Sequence, residues 1–226
     1  MNDYKCKSIS WNASGAEIEA ESFRRIEAEI APEVRCRFSP GEWRVVRRLI
    51  HTTADFAIAD VVGFKNDPVS AGLSALRNGA GIYSDSNMIK AGLSVSKLSS
   101  FNSNYSRDSI ICPSLTAQVG ELARQRHITR ALAGVELYLD KIDNGIFLCG
   151  NAPLALAGVA EAVLAGRIKP RLIIAMPVGF VNVVESKELA LQLRDVPMII
   201  LNGRRGGSPL AVAALHGIME SGEELQ

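Results

Sequence analysis

The chain has 226 residues, 47% hydrophobic and 6% aromatic, which suits one large globular domain with an Ala/Val/Leu/Ile core and excludes a disordered chain. With 25 Lys and Arg against 24 Asp and Glu the formal charge is +1, so bulk charge gives no argument for nucleic acid or a membrane surface as partner. No apolar run reaches the ~20 residues a spanning helix needs, and the polar N-terminus has no signal-peptide core.

Cys6, Cys36, Cys112 and Cys149 show neither CxxC nor Cys/His ligand spacing, and they read as reduced thiols with no metal role in a cytoplasmic protein. Residues 1–13 are polar and irregular, an expected arm on a single domain spanning 1–226. Ser14-Gly-Ala-Glu17 is a capping box that opens a helix with Ile18, Phe23, Ile26 and Ile30 on its apolar face. Ser39-Pro-Gly-Glu42 opens a second helix, with Trp43, Val46, Leu49 and Ile50 at helical spacing and an end near His51 to Asp55.

Val61 to Phe64 is short and apolar, a minor strand at most. Asp67-Pro68 caps a helix through Leu76, and Gly79 stops it. Gly81 to Asp85 predicts a strand leading into a short helix around 87–91. Residues 94–107, rich in Ser and Asn, predict a mobile loop or lid. Asp108 to Cys112 predicts the next strand, and 115–143 a helical stretch interrupted near His127.

From Gly145 to Pro209 three apolar strands each end in a Gly/Pro-rich turn: Gly150-Asn151-Ala152-Pro153, Met176-Pro177-Val178-Gly179-Phe180, and Asn202 to Pro209. Counted from Gly81, five strands alternate with helices, which implies a three-layer α/β/α fold with a mainly parallel five-stranded sheet and extra N-terminal helices. The three turns then converge at the carboxyl edge, where open α/β sheets bind ligands.

Asn151 and Ser208 read as helix caps, and capped starts of this kind are more often architecture than sites. Free amides at such starts, approachable beside glycine and joined by Arg204 and Arg205, suit an anionic ligand. No G-x-G-x-x-G follows a strand and no G-x-x-x-x-G-K-[ST] occurs, which argues against NAD and ATP. The Met176 to Phe180 loop suits a flat apolar ligand, or a tight turn packed on the core. His216 reads as a packed or surface helix residue and His127 as solvated. His51 differs, because Thr52, Thr53 and Asp55 stand near enough to fix its tautomer; by composition alone a structural role is slightly ahead.

Taken in order, Glu21-Ser22-Phe23, His51, Asp85-Ser86-Asn87-Met88, Thr129-Arg130, Gly150-Asn151-Ala152-Pro153, Met176 to Val181, Glu185-Ser186-Lys187 and Gly203 to Ser208 resemble the precorrin-8X methylmutase family of cobalamin biosynthesis, over roughly 16–216. Leu154 and His216 stand where that resemblance leads to Thr and Asn.

The resemblance implies an isomerase with no metal or organic cofactor, working as a homodimer on a corrinoid tetrapyrrole. It would move a methyl group within ring C of precorrin-8X or cobalt-precorrin-8, giving hydrogenobyrinate or its cobalt form, cobyrinate. His51 maps onto the catalytic proton donor. Ser22 and Arg130 map onto active-site positions, and Asn151, Ala152, Gly207 and Ser208 are expected to meet substrate. Two other readings stay open: a corrinoid carrier or storage protein without turnover, and an unrelated enzyme for an acidic metabolite on the same fold.

Overall fold

A computed structural model describes residue 9 and residues 11–223. Most of the expected N-terminal arm, and Cys6, lie outside the described residues. Both capping boxes form with both halves of the motif: Ser14 with Glu17 opens α1 (Gly15–Glu29), and Ser39 with Glu42 opens α3 (Pro40–Thr53). Between them lies the single turn α2 (Pro32–Arg35).

Next come α4 (Ile58–Val61), β1 (Val62–Lys65) and α5 (Pro68–Arg77), the last capped by Asp67. Then follow β2 (Ile82–Ser84), α6 (Asn87–Gly92), α7 (Val95–Phe101) and the two-residue β3 (Ile110–Ile111). A 3-10 turn at Pro113–Leu115 leads to α8 (Ala117–Arg126), α9 (Arg130–Leu137) and α10 (Leu139–Ile142). The chain closes with β4 (Ile146–Cys149), α11 (Pro153–Leu164), β5 (Leu172–Ala175), α12 (Val183–Leu191), β6 (Met198–Leu201) and α13 (Ser208–Glu223).

The strands form one sheet in the order β1-β6-β5-β4-β2-β3. The five expected strands, β2 to β6, are parallel neighbours; the minor strand at Val62 is a sixth, antiparallel to β6 at the edge. Numbering the parallel strands alone, the order is 2-1-3-4-5, with its switch point between β2 and β4.

Both faces of the sheet are covered, as continuous apolar strands require. Ile82, Leu148, Ile174 and Ile199 pack under α3, α5, α6, α7 and α13, while Tyr83, Phe147, Ile173 and Ile200 pack under α9, α11 and α12.

The stretch 94–107 is only in part the expected loop: Val95–Phe101 is helix α7, and turns and irregular backbone fill 102–107. Ser94 caps α7 through the Lys97 amide, Leu98 and Tyr105 are buried, and the Tyr105 hydroxyl donates to Ala80 O at 2.8 Å. Its Ser/Asn content supplies caps and turns around two apolar anchors. The interruption at His127 is real: that residue ends α8 in the left-handed region, at φ 52°.

Candidate active site

His51 sits in the last turn of α3, which Ala54 ends in the left-handed conformation with its N–H on Ile50 O. The expected orienting groups are engaged elsewhere. Thr52 and Thr53 hydroxyls fold back onto the carbonyls of Arg48 and Leu49, at 2.8 and 3.0 Å. The ring is held instead from α1: Ser22 Oγ lies 2.7 Å from His51 Nδ1, and the Phe23 ring packs edge-on with centroids 5.2 Å apart. The Arg47 guanidinium in turn covers Phe23, 4.3 Å from its centroid. Nδ1 is thus engaged, and Nε2 has no hydrogen-bond partner among the described residues.

The fold itself brings this helix end to the crevice. A Cβ on Gly217 would lie 2.6 Å from Val45 Cα, Ser221 Oγ donates to Gly41 O, and Pro209 and Thr52 line one cavity. Helices α3 and α13 therefore run antiparallel in close contact, so the last turn of α3 meets the first turn of α13 at the carboxyl edge of the sheet.

The three Gly/Pro turns converge there as expected. Gly207 N donates to Met176 O at 2.8 Å and Gly179 N to Arg204 O at 3.3 Å. A Cβ on Gly206 would lie 2.3 Å from Met176 O, and one on Gly150 would lie 2.6 Å from Ser208 Cα, so both close approaches need glycine. Phe180, 83% exposed, stands out from the second turn with the Arg204 guanidinium 5.4 Å from its centroid.

The anion site read at Asn151 and Ala152 already holds an anion, and it belongs to the protein. The buried Asp85 carboxylate, at the end of β2, accepts from the amides of Gly150 (3.2 Å), Asn151 (2.7 Å) and Ala152 (2.6 Å). It fills the switch point between β2 and β4, where a sheet of this order offers its amides to a ligand. Asn151 is not the cap, since α11 starts at Pro153 after Ala152 and lacks a side-chain cap; the Asn151 side chain is exposed. Ser208 is not a cap either. Leu210 and Ala211 amides go to Gly207 O, while Ser208 Oγ pairs with Ser86 Oγ at 2.8 Å. Asp85-Ser86 thus ties the first turn to the third. The sequence marks Asp85-Ser86 as part of a family-like motif directly after a strand, with no local sign of which amides or hydroxyl it would meet.

Two further residues carry the third turn. Lys187, 2% exposed, donates through Nζ to Gly203 O and Arg205 O, each at 2.8 Å, and its burial lowers the ammonium pKa to about 8. Arg205 pairs with Asp55, just beyond α3, at 2.9 Å.

Arg130 stands apart. It opens α9, is exposed, and donates to Ser114 O at 3.3 Å beside edge strand β3. Among the described residues no hydrogen bond or ion pair joins it to His51 or to the three turns.

Beside His51's helix end, a cavity of about 310 Å³ is lined by Arg48, Thr52, Met88, Pro209, Val212 and His216. His216 Nε2 accepts from Ser94 N at 3.2 Å; burial, with Arg48 and Lys97 nearby, lowers its pKa to about 4, so it is a neutral packing histidine. A larger cavity of about 600 Å³, lined by Asn144, Lys169, Arg171 and Pro197, lies at the amino ends of the strands, away from His51. Burial and Asp85 push the Cys149 thiol up, which leaves it unreactive. No group of three His, Cys, Asp or Glu among the described residues is placed to hold a metal, and no helix among them is long and apolar enough to cross a membrane.

A doubly wound α/β fold without nucleotide fingerprints, with a glycine-built crevice at the carboxyl edge of its sheet and an exposed aromatic at the rim, belongs to the class of α/β proteins that bind small molecules at that edge. The family model described as precorrin-8X methylmutase matches residues 17–221. A cobalt-precorrin-8 methylmutase of Methanocaldococcus jannaschii is 40% identical over 182 residues, 80% of either chain. A precorrin-8X methylmutase of Pseudomonas aeruginosa is 34% identical over 93% of this chain and 97% of its own. A crystal structure of precorrin-8x methyl mutase from Thermus thermophilus superposes with a TM-score of 0.82 at 40% identity, covering 93% of this chain and 97% of that one. The chain belongs to the precorrin-8X methylmutase family, whose members are isomerases of cobalamin biosynthesis.

Proposed function

We propose that this protein moves a methyl group between adjacent carbons of ring C of precorrin-8X or cobalt-precorrin-8, yielding hydrogenobyrinate or cobyrinate, with His51 as proton donor. The observation that carries the reading is the 2.7 Å contact between Ser22 Oγ and His51 Nδ1. With Ser22 accepting from Nδ1–H, imidazolium keeps its Nε2–H for the macrocycle, and the neutral ring left behind has its Nε2 lone pair ready to take the proton back. Protonation draws electrons from the conjugated ring and lowers the barrier as one C–CH₃ bond breaks and its neighbour forms. A positioned acid of this kind supplies about 10²–10⁴-fold.

A corrinoid is a broad apolar ring fringed with carboxylates. The exposed Val178, Phe180 and Val181 suit the ring, and Arg204 and the Asn151 side chain suit the fringe. With the amides of residues 150–152 committed to Asp85, substrate meets this turn through side chains, and Gly207 and Ser208 shape the floor. Arg130 serves as a carboxylate partner at the far edge of the ring. The protein acts as a homodimer built on one domain, in the cytoplasm; free thiols at Cys36, Cys112 and Cys149 suit that reducing compartment.

The test is incubation with precorrin-8X and, separately, its cobalt form, followed by absorption. Conversion of either to the rearranged corrin supports the enzyme. Tight binding without conversion of either would establish the carrier reading instead.

A further inference from the structure

Lys187 is a buried ammonium with no part in the chemistry above. Its contacts are the carbonyls of Gly203 and Arg205, and no carboxylate pairs with it among the described residues. A buried charge without a counter-ion is costly, and its burial-lowered pKa of about 8 reflects that. What it secures is the turn after β6. That turn has no regular backbone ladder across Gly203 to Arg205, and Gly203 sits at φ 72°.

On its outer side, the same turn sends the Arg205 guanidinium to Asp55 Oδ2 at 2.9 Å. The other Asp55 oxygen caps the Ala57 amide at 2.9 Å, and the Asp55 amide donates to Thr53 Oγ1 at 3.2 Å. Asp55 thus holds the segment on both sides of the break after α3, its carboxylate on the Ala57 amide and its own amide on Thr53, four residues from His51.

We infer that Lys187, Arg205 and Asp55 form a positioning device: the ammonium fixes the turn from beneath, so that Arg205 can hold Asp55 and with it the His51-bearing end of α3 against the crevice. None of the three touches the reacting atoms. The inference rests on the reading of His51 as the proton donor. An ion pair as exposed as Arg205–Asp55 adds little to stability, so its loss is read in geometry rather than in melting temperature.

The experiment compares Lys187→Met, Arg205→Gln, Asp55→Ser and the double variant Lys187→Met/Arg205→Gln in the full-length protein. Asp55→Ser retains an oxygen for the Ala57 amide but is too short to reach Arg205. The readouts are the His51 ring ¹H–¹⁵N signals, identified by their absence in His51→Ala, together with kcat, KM and Tm. A misplacement of about 1 Å at a catalytic group costs roughly 100-fold. Each single variant is therefore expected to shift the His51 signals and lower kcat by about 10- to 100-fold. KM should stay within about threefold in Arg205→Gln and Asp55→Ser, which leave Arg204 and the Lys187 contacts in place, while in Lys187→Met it should rise as well, since the loosened turn carries Arg204. The double variant should be no worse than Lys187→Met, as members of one linkage are non-additive.

Unchanged His51 signals and kcat in Asp55→Ser overturn the inference, and so do losses that multiply in the double variant. A raised KM in Arg205→Gln with Asp55→Ser silent assigns Arg205 to direct substrate binding, which also overturns it. If Lys187→Met fails to fold, the two variants at the exposed ion pair decide. The ring signals need no turnover. A fully active His51→Ala would therefore remove the proton-donor reading while leaving the positioning result legible.

Discussion

Replacing Ser22 by alanine removes one oxygen atom, the partner of His51 Nδ1 at 2.7 Å, and leaves the neighbouring Phe23 ring in place. In the proposed mechanism the imidazole then loses the acceptor that fixes its tautomer and supports its charged form. A hydrogen bond to a charged group contributes about 1.5–3 kcal/mol. Spent on the transition state, that is roughly a 10- to 150-fold loss in kcat. Ser22 is only half-buried on α1, so Tm should move little. Ser22→Thr, which keeps the hydroxyl, should recover most of the rate. The assay is the absorption change at saturating substrate, with product affinity measured beside it. An unchanged kcat in Ser22→Ala, or equal loss in the threonine variant, would refute the orienting role.

Asp85→Ala leaves the amides of Gly150, Asn151 and Ala152 without their acceptor; at about 1–3 kcal/mol per orphaned group the loss exceeds about 3 kcal/mol, seen as a urea midpoint well below wild type. Phe180→Ala should leave stability within about 0.5 kcal/mol, because the ring is 83% exposed, yet raise KM about tenfold as measured by steady-state kinetics. His216 has a folded pKa of about 4 against an unfolded value near 6.5, so the unfolded chain takes the proton first and stability falls as pH drops from about 6.5 to 4. Allowing for its partial exposure, wild type should lose about 2 kcal/mol more than His216→Asn between pH 7 and 4, read from denaturant titrations.

Much of this architecture is legible in the sequence because its signals are local. Ser14/Glu17 and Ser39/Glu42 mark helix starts by hydrogen bonds within four residues, and the continuous apolar strands at 146–149, 172–175 and 198–201 announce a sheet buried on both faces. Composition misleads at 94–107, where Ser and Asn cap α7 while Leu98 and Tyr105 anchor it. The site is less legible because its partners are distant in sequence. Ser22 reaches His51 across 29 positions, and Asp85 reaches Ala152 across 67. Local reading gave His51 the nearby Thr52 and Thr53 and gave the helix starts to a ligand. The helix interior claims those hydroxyls, and a buried carboxylate claims those amides.

In the proposed mechanism His51 gives the proton that prepares the methyl shift. That role is tested most directly by His51→Ala, assayed for conversion of precorrin-8X and its cobalt form, with product binding followed in parallel. Conversion should fall by about 10²-fold or more while product binds with near wild-type affinity. Full conversion by the alanine variant would contradict it and place the proton donor elsewhere.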